Sequence, residues 1–222
     1  MKKISLYALL LASLFSFLSC KTAFRTTSEL EAFFNRQELK DINTIVSYYE
    51  DRIKKQTNLN QIDSAFQKFA KQAVFQQIPD FSGFDIQSLQ QLYSDLNPKT
   101  YAQIWDENSG FSLITNDSIK TLTIAYEKKF MNYLKVVGKK KPKITFVHSK
   151  VEAKGSVDDF LLFTLYQDFD NDGTNARLSK KIGDFNNRFI TAVFTITIAE
   201  NMRRVKTRDE RALKMQQTEK ED

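Results

Sequence analysis

The stretch Phe189-Ile190-Thr191-Ala192-Val193-Phe194-Thr195-Ile196-Thr197-Ile198-Ala199 decides the fold class of this chain. Apolar side chains occupy alternate positions from Ile190 to Ile198, and threonines occupy most of the positions between them. A period of two residues is typical of a β-strand, in which successive side chains point to opposite faces of the sheet. The stretch therefore predicts one strand of a half-buried antiparallel sheet.

Two segments before this stretch show the same alternation and predict two more strands, Lys143 to Val151 and Phe160 to Phe169. Lys154-Gly155 can turn the first of these into the second. The simplest topology is a meander whose apolar face is covered by helices. From Glu200 onward the chain is charged, with acidic and basic residues four apart, which predicts an exposed helix.

The first half of the chain has apolar residues at helical spacing. Four helices are predicted from these stripes: Ile42 to Ile53, Leu59 to Ala73, Ile86 to Leu96, and Ile119 to Val137. Ser28 and Glu31 form a capping-box pattern, which predicts a first helix that begins at about Glu29. Tyr101 to Trp105 and Phe111 to Thr115 flank a polar loop and predict a hairpin.

These patterns predict an α+β domain over residues 28–215. Its helical N-terminal half packs on a C-terminal antiparallel sheet of three or more strands, and a charged C-terminal helix follows. In an alternative division, residues 28–138 form a helical subunit and residues 139–215 a stranded one. Residues 216–222 are predicted to fray.

The composition supports a packed domain and excludes several kinds of site. Of 222 residues 41% are hydrophobic and 13% aromatic, enough for a substantial core. The single cysteine, Cys20, cannot form an internal disulfide, and with one histidine, His148, a zinc site lacks ligands. The formal net charge is +6, but basic residues are spread over the chain, and no nucleic-acid partner is predicted.

The first 20 residues have the three parts of an export signal. Lys2 and Lys3 are followed by an uncharged apolar stretch from Ile4 to Leu18, which is short for a membrane span. The stretch ends in Phe17-Leu18-Ser19-Cys20. This end resembles the lipobox of bacterial lipoproteins, in which a small residue precedes a cysteine that receives diacylglycerol before cleavage.

The resemblance implies that residues 1–19 are a signal peptide and that Cys20 is the lipidation site, with residues 20–27 as a tether. It implies a protein of the bacterial cell envelope, held at the membrane by acyl chains such as palmitate. Lys21 is not the Asp that signals inner-membrane retention, which favours the outer membrane in a Gram-negative source. The alternatives are an uncleaved anchor and an ordinary signal peptide with an incidental Cys20.

Asp168-Phe169-Asp170-Asn171-Asp172-Gly173 reproduces the first half of a calcium loop. Asp168, Asp170 and Asp172 are the candidate calcium ligands, and no other cofactor is predicted. The twelfth position is Ser179 in place of a bidentate Glu, so the match stops halfway. The alternative interpretation is a polar turn, because Asp, Asn and Gly favour turns.

Two further sets of residues offer weaker sites. Paired carboxylates can divide acid and base roles in a hydrolase, and the local cluster is Asp158, Asp159, Asp168, Asp170 and Asp172.

Two basic clusters could contact lipid phosphates or acidic glycans: Lys139, Lys140, Lys141 and Lys143, then Arg203, Arg204, Lys206 and Arg208. The alternative for both clusters is a solvated surface.

Catalysis that depends on a thiol, a serine elbow or zinc lacks its residues in the predicted mature chain. The sequence therefore predicts an envelope lipoprotein that acts as a non-catalytic binding or structural module. Its partner would be an envelope protein, an envelope polymer or a small ligand. The alternatives are a carboxylate-based hydrolase and a calcium-stabilised surface module.

Overall fold

The computed structural model describes residues 24–74, 76, 80–112, 117–169 and 176–218. These residues form a mixed α and β structure in which helices predominate. The helices are α1 (Ser28–Phe33), α2 (Arg36–Thr57), α3 (Ile62–Phe69), α4 (Ile86–Asp95), α5 (Pro98–Ile104), α6 (Lys129–Gly138), α7 (Pro142–Lys154), α8 (Asp159–Leu165) and α9 (Phe185–Thr218). The strands are β1 (Trp105–Ser112), β2 (Asp117–Ile124), β3 (Gln167–Phe169) and β4 (Ala176–Leu178), and a π-helical segment (Ala70–Val74) follows α3.

The stretch from Phe189 to Ala199 lies in the middle of α9, so the prediction of a strand is wrong. Every residue from Phe189 to Glu200 is buried, because α2, α4, α8 and β2 all pack against this helix. A helix that is buried on all sides is apolar on all sides. It therefore has no period of 3.6 residues, and the alternation of threonines was misleading.

Helical geometry also satisfies the threonines of this stretch. The hydroxyl of Thr195 donates to the carbonyl of Thr191 at 2.8 Å, and that of Thr197 donates to the carbonyl of Val193 at 2.7 Å. A threonine can bond the carbonyl four residues earlier only within a helix. The three buried threonine hydroxyls thus cost little, since at least two of them find backbone partners.

Of the other two predicted strands, Lys143 to Val151 lies in α7 and Phe160 to Leu165 lies in α8, so both predictions are wrong there; the end of the second, Gln167–Phe169, does form β3. Pro142 begins α7, and Ile144, Val147 and Val151 are buried along one face of it. Proline is favoured in the first turn of a helix because its missing N–H has no partner there. The carboxylate of Asp158 caps α8 by accepting from the N–H of Leu161 at 3.0 Å. These two helix-start signals outweigh the alternation of side chains from which the strands were predicted.

The described residues consequently form no sheet of three or more strands. They form two antiparallel pairs, β1 with β2 and β3 with β4. In the first pair Trp105 lies opposite Ile124 and Ser112 opposite Asp117. The hairpin predicted from Tyr101 to Thr115 is wrong in its bounds: Tyr101 to Ile104 belong to α5, and residues 106–110, predicted as its loop, lie within β1 and pair with β2.

The helix predicted from Ile119 to Val137 is two elements. Its first part is β2, and its second part is α6, which starts at Lys129. Glu127 lies between them with φ of 57°, in the left-handed region. That conformation breaks a continuous helix, so Tyr126 is 53% exposed although the stripe predicted it to be buried.

Two of the predicted helices are confirmed. Ile42, Ile45, Val46, Tyr49 and Ile53 are all fully buried on α2, as predicted, and α4 matches the predicted Ile86 to Leu96 segment. The capping box belongs to α2, in which the Asn35 side chain and Glu38 satisfy each other's backbone N–H groups. The predicted box at Ser28 is wrong, since Thr27 caps α1.

The charged helix predicted after Glu200 is confirmed as the continuation of α9, which runs to Thr218. Buried apolar residues from both halves of the chain, from Leu30 to Ala199, belong to one hydrophobic cluster. In the alternative division, residues 139–215 form a stranded subunit, but the described residues of this segment are mostly helical. Among the described residues there is no helix long and apolar enough to cross a bilayer.

Candidate functional site

An open groove of about 550 Å³ runs beside the outer half of α9. Its apolar lining comes from Val157, in the turn before α8, and from Ile198, Met202 and Val205 on α9. These three α9 residues are spaced four and three apart, so they lie on one face of the helix. We call this feature the α9 groove.

The α9 groove exists because α9 leaves the core after Glu200. From Phe189 to Glu200 every residue is buried, whereas Val205 is 40% exposed. Phe160, which follows the groove-lining Asp159, is 58% exposed and makes an edge-to-face contact with Phe146. An apolar groove with a polar rim is typical of a binding site.

The rim of the α9 groove is acidic. Asp159, Asp209 and Glu210 line it, together with a single basic side chain, Lys206. Asp209 also pairs with Arg208 at 2.6 Å. Burial, with a smaller contribution from the charge of Asp158, raises the pKa of Asp159 above its ordinary value. With three acidic side chains against one basic one, the rim would still attract a basic partner more than an acidic one.

The β1–β2 hairpin holds α9 beside the groove, through Asn201 at the groove's edge and through Arg204. The amide of Asn201 accepts from the N–H of Leu122 at 2.7 Å and donates to the carbonyl of Leu122 at 2.8 Å. Arg204 pairs with Glu107 at 2.7 Å and with Glu200 at 2.6 Å. Together these bonds fix the part of α9 that forms the wall of the groove.

Glu200 lies where α9 emerges from the core. Burial alone would raise the pKa of this carboxyl, but the hydrogen bonds from Arg203 and Arg204 outweigh it and lower the pKa. The second predicted basic cluster is therefore largely paired: Arg203 and Arg204 with Glu200, and Arg208 with Asp209.

A second, more polar groove of about 490 Å³ lies between α2 and α4, beside Phe24. Tyr48 and Ser88 share a hydrogen bond of 3.0 Å there, and burial raises the pKa of Tyr48 to about 12. The guanidinium of Arg52 lies 5.3 Å from the centre of the Tyr48 ring and 3.6 Å from Asp85. Its Nε is buried and has no hydrogen-bond partner among the described residues.

Of the three candidate calcium ligands, only Asp168 is described, since Asp170 and Asp172 lie outside the described residues. One oxygen of Asp168, at the β3–β4 hairpin, accepts from the hydroxyl of Ser179 at 2.8 Å. The same oxygen lies 3.7 Å from the ammonium of Lys143. Among the described residues, no three His, Cys, Asp or Glu side chains are grouped to hold a metal ion. The calcium site remains a prediction.

The carboxylates proposed for hydrolysis have separate surroundings. Asp158 caps α8 and pairs with Lys154 at 2.7 Å; burial opposes ionisation of Asp158, but these bonds lower its pKa. Asp159 faces the α9 groove, and Asp168 faces Ser179. His148 lies on α7, 3.9 Å from Glu152. Cys20 lies outside the described residues.

Sequence reasoning missed the α9 groove. Its apolar residues at positions 198, 202 and 205 have helical spacing, but that signal is readable only if the preceding stretch is taken as a helix. The alternating threonines concealed it.

Searches against protein-family models, curated proteins and solved structures found no match to this chain.

Proposed function

We propose that this chain is an exported lipoprotein of the bacterial envelope, acylated at Cys20, whose body is a non-catalytic binding module. The α9 groove is the observation that carries the binding role. Its size is within the range of about 300–1,000 Å³ that is usual for ligand sites, although it is an open groove. An open apolar groove fits a segment of another protein better than a small molecule.

The occupant we propose is an amphipathic helix of an envelope protein, with an apolar stripe and basic flanks. The apolar stripe would contact Ile198, Met202 and Val205 in the way that helices dock into apolar grooves. The basic flanks would face the acidic rim at Asp159 and Glu210. Charge complementarity of this kind orients a partner and speeds its association.

The binding role is tested with a synthetic probe, a fluorescent amphipathic helical peptide with a leucine stripe and lysine flanks. We expect the lipidated protein to bind it, and Val205→Asp to raise its Kd at least about tenfold, since a buried charge in the contact costs more than 1.4 kcal/mol. Ile86→Asp is the matched control, because Ile86 is 44% exposed and lies outside the groove.

A second peptide with glutamate flanks tests the charge argument, and it should bind more weakly than the lysine peptide. Equal effects of Val205→Asp and Ile86→Asp would refute the assignment of the groove. The anchor is tested separately by mass spectrometry of the native N-terminus, where an acylated Cys20 is expected. An unmodified residue 20, or a leader still attached, would refute the lipoprotein.

Among the described residues, the hydrolase alternative gains no supporting geometry, because Asp158 is engaged in capping and in an ion pair. The calcium-stabilised alternative depends on Asp170 and Asp172, which lie outside the described residues.

A further inference from the structure

We propose that the end of the molecule at which the tether enters is a lipid-facing surface that binds the phosphates of an anionic bilayer. This inference rests on the proposed anchor at Cys20 and adds an orientation to it. We call this surface the basic end: it comprises Arg25, Lys139 and Lys140, together with Lys180 and Lys181, which precede Asp184 by four and three residues and so lie within about 14 Å of it.

The first described residues are fixed to the body, so the tether is short. The backbone N–H of Arg25 donates to the Asn43 side chain at 3.0 Å, and the Asn43 amide donates to the Arg25 carbonyl at 2.9 Å. The Arg25 guanidinium bonds Glu50 at 3.0 Å and lies 5.0 Å from the centre of the Phe185 ring. Arg25 can therefore lie at most about 18 Å from Cys20, five residues earlier.

The fold brings the predicted basic loop to this same end. Lys140 pairs with Glu29 of α1 at 3.0 Å, and Lys141 pairs with Asp184 at 2.7 Å, one residue before α9. The hydroxyl of Thr27 donates to Asn186 at 2.6 Å. Residues 25–29, 139–141 and 184–187 thus form one continuous surface, although they are far apart in the sequence.

The basic end has charge available for a partner. Lys139, Lys180 and Lys181 are exposed and make no ion pair within the described part of the chain. Lys140 is paired, but its side chain is 75% exposed. The N-terminal ends of α7 and α9, which carry partial positive charge, lie at this end too. In contrast, the arginines of the second cluster pair mainly with Glu200 and Asp209.

Anchoring this end places the α9 groove at a distance from the bilayer attachment point. Arg25 contacts Phe185 at the start of α9, and the helix rises about 30 Å from there to Val205, at about 1.5 Å per residue. A basic end held against the membrane would therefore leave the groove free to meet a partner, while lipid phosphates restrict rotation about the tether.

The test is lysine footprinting of the full lipidated protein with an amine-reactive reagent. The protein is placed in phosphatidylcholine vesicles or in vesicles rich in phosphatidylglycerol. We expect labelling of Lys139, Lys140 and Lys181 to fall about fivefold on the anionic vesicles, since each lysine gains appreciable attraction near such a surface. High salt should restore the labelling. Lys206, at the distant groove, should be labelled equally on both.

A triple variant, Lys139→Gln with Lys140→Gln and Lys181→Gln, should abolish the protection of Lys180. Lys55→Gln with Lys99→Gln and Lys128→Gln is the matched control, because these three lysines are exposed elsewhere and should leave the protection unchanged. Equal labelling of the basic end on both kinds of vesicle, with the protein retained on both, would overturn the inference. Failure of the protein to remain on phosphatidylcholine vesicles would overturn the anchor instead.

Discussion

The indole N–H of Trp105 donates a hydrogen bond of 2.9 Å to the hydroxyl of Thr197, and both side chains are buried. Trp105 begins β1 and Thr197 lies in the buried middle of α9, so this bond joins the hairpin to the central helix. The same hydroxyl donates to the carbonyl of Val193 at 2.7 Å. Thr197 therefore satisfies a donor and an acceptor in the core.

Replacing Thr197 by valine tests this relationship. Valine has nearly the same shape but leaves the indole N–H without an acceptor, and a buried unpaired donor costs about 1–3 kcal/mol. We expect the free energy of unfolding in urea to fall by that amount. Thr197→Ser retains the hydroxyl and should lose less. Because valine retains the methyl group of threonine, an unchanged unfolding free energy in Thr197→Val would contradict the role of the hydrogen bond.

Glu50 is paired with two arginines, Arg25 at 3.0 Å and Arg188 at 2.9 Å. Glu50→Gln would leave both guanidinium groups without their carboxylate. Because the arginines are partly exposed, we expect a loss of about 2 kcal/mol in unfolding free energy, less than for a fully buried pair. Released from Glu50, Arg25 should also be cut faster by trypsin in the native state.

Asp85→Asn is the control for Glu50→Gln. It removes the longer contact of Asp85 with Arg52 at 3.6 Å, while asparagine still caps α4. A loss of more than about 1 kcal/mol in this control, or an unchanged trypsin cleavage rate at Arg25 in Glu50→Gln, would contradict the role of the Glu50 cluster.

The ion pair between Glu29 and Lys140 predicts a dependence of stability on pH. The hydrogen bond from Lys140 is the largest cause that lowers the pKa of Glu29 from 4.5 to about 2. A carboxyl with a lowered pKa in the folded state stabilises that state above its unfolded pKa and ceases to do so as the pH falls. The stability advantage over Glu29→Gln should be complete above pH 4.5 and shrink toward pH 2.

The measurement is urea unfolding of the parent protein and of Glu29→Gln from neutral pH to about pH 3. Over this range Glu29 begins to take up protons in the unfolded state. Glu31→Gln is the control, since it removes an acidic side chain of the same helix that makes no ion pair among the described residues. A difference between Glu29→Gln and the parent that stays constant over this range would contradict the prediction.

The calcium hypothesis predicts that calcium raises the melting temperature of the protein relative to chelator, since a ligand of the folded state stabilises it. Asp168→Asn should abolish that shift. Binding at Asp168 would have to compete with Ser179 at 2.8 Å and with Lys143 at 3.7 Å. A melting temperature that is the same with calcium and with chelator would refute the calcium hypothesis. Asp168 would then be part of a structural turn only.

The sequence by itself determined the elements that have one buried face and one solvated face. The helix α2 is buried on one face and solvated on the other, so Ile42, Ile45 and Tyr49 show its period directly. The start of α4 at Ile86, the Pro98 boundary and the charged end of α9 were readable for similar local reasons.

Tertiary structure alone decided the state of Phe189 to Ala199 and, with it, the site. Burial on all sides removes the contrast between faces that sequence patterns depend on, and the threonines then mimic a strand. The α9 groove and the basic end are likewise products of packing, because each combines residues that are distant in the chain. Their positions follow from which helices surround α9, and no local propensity contains that information.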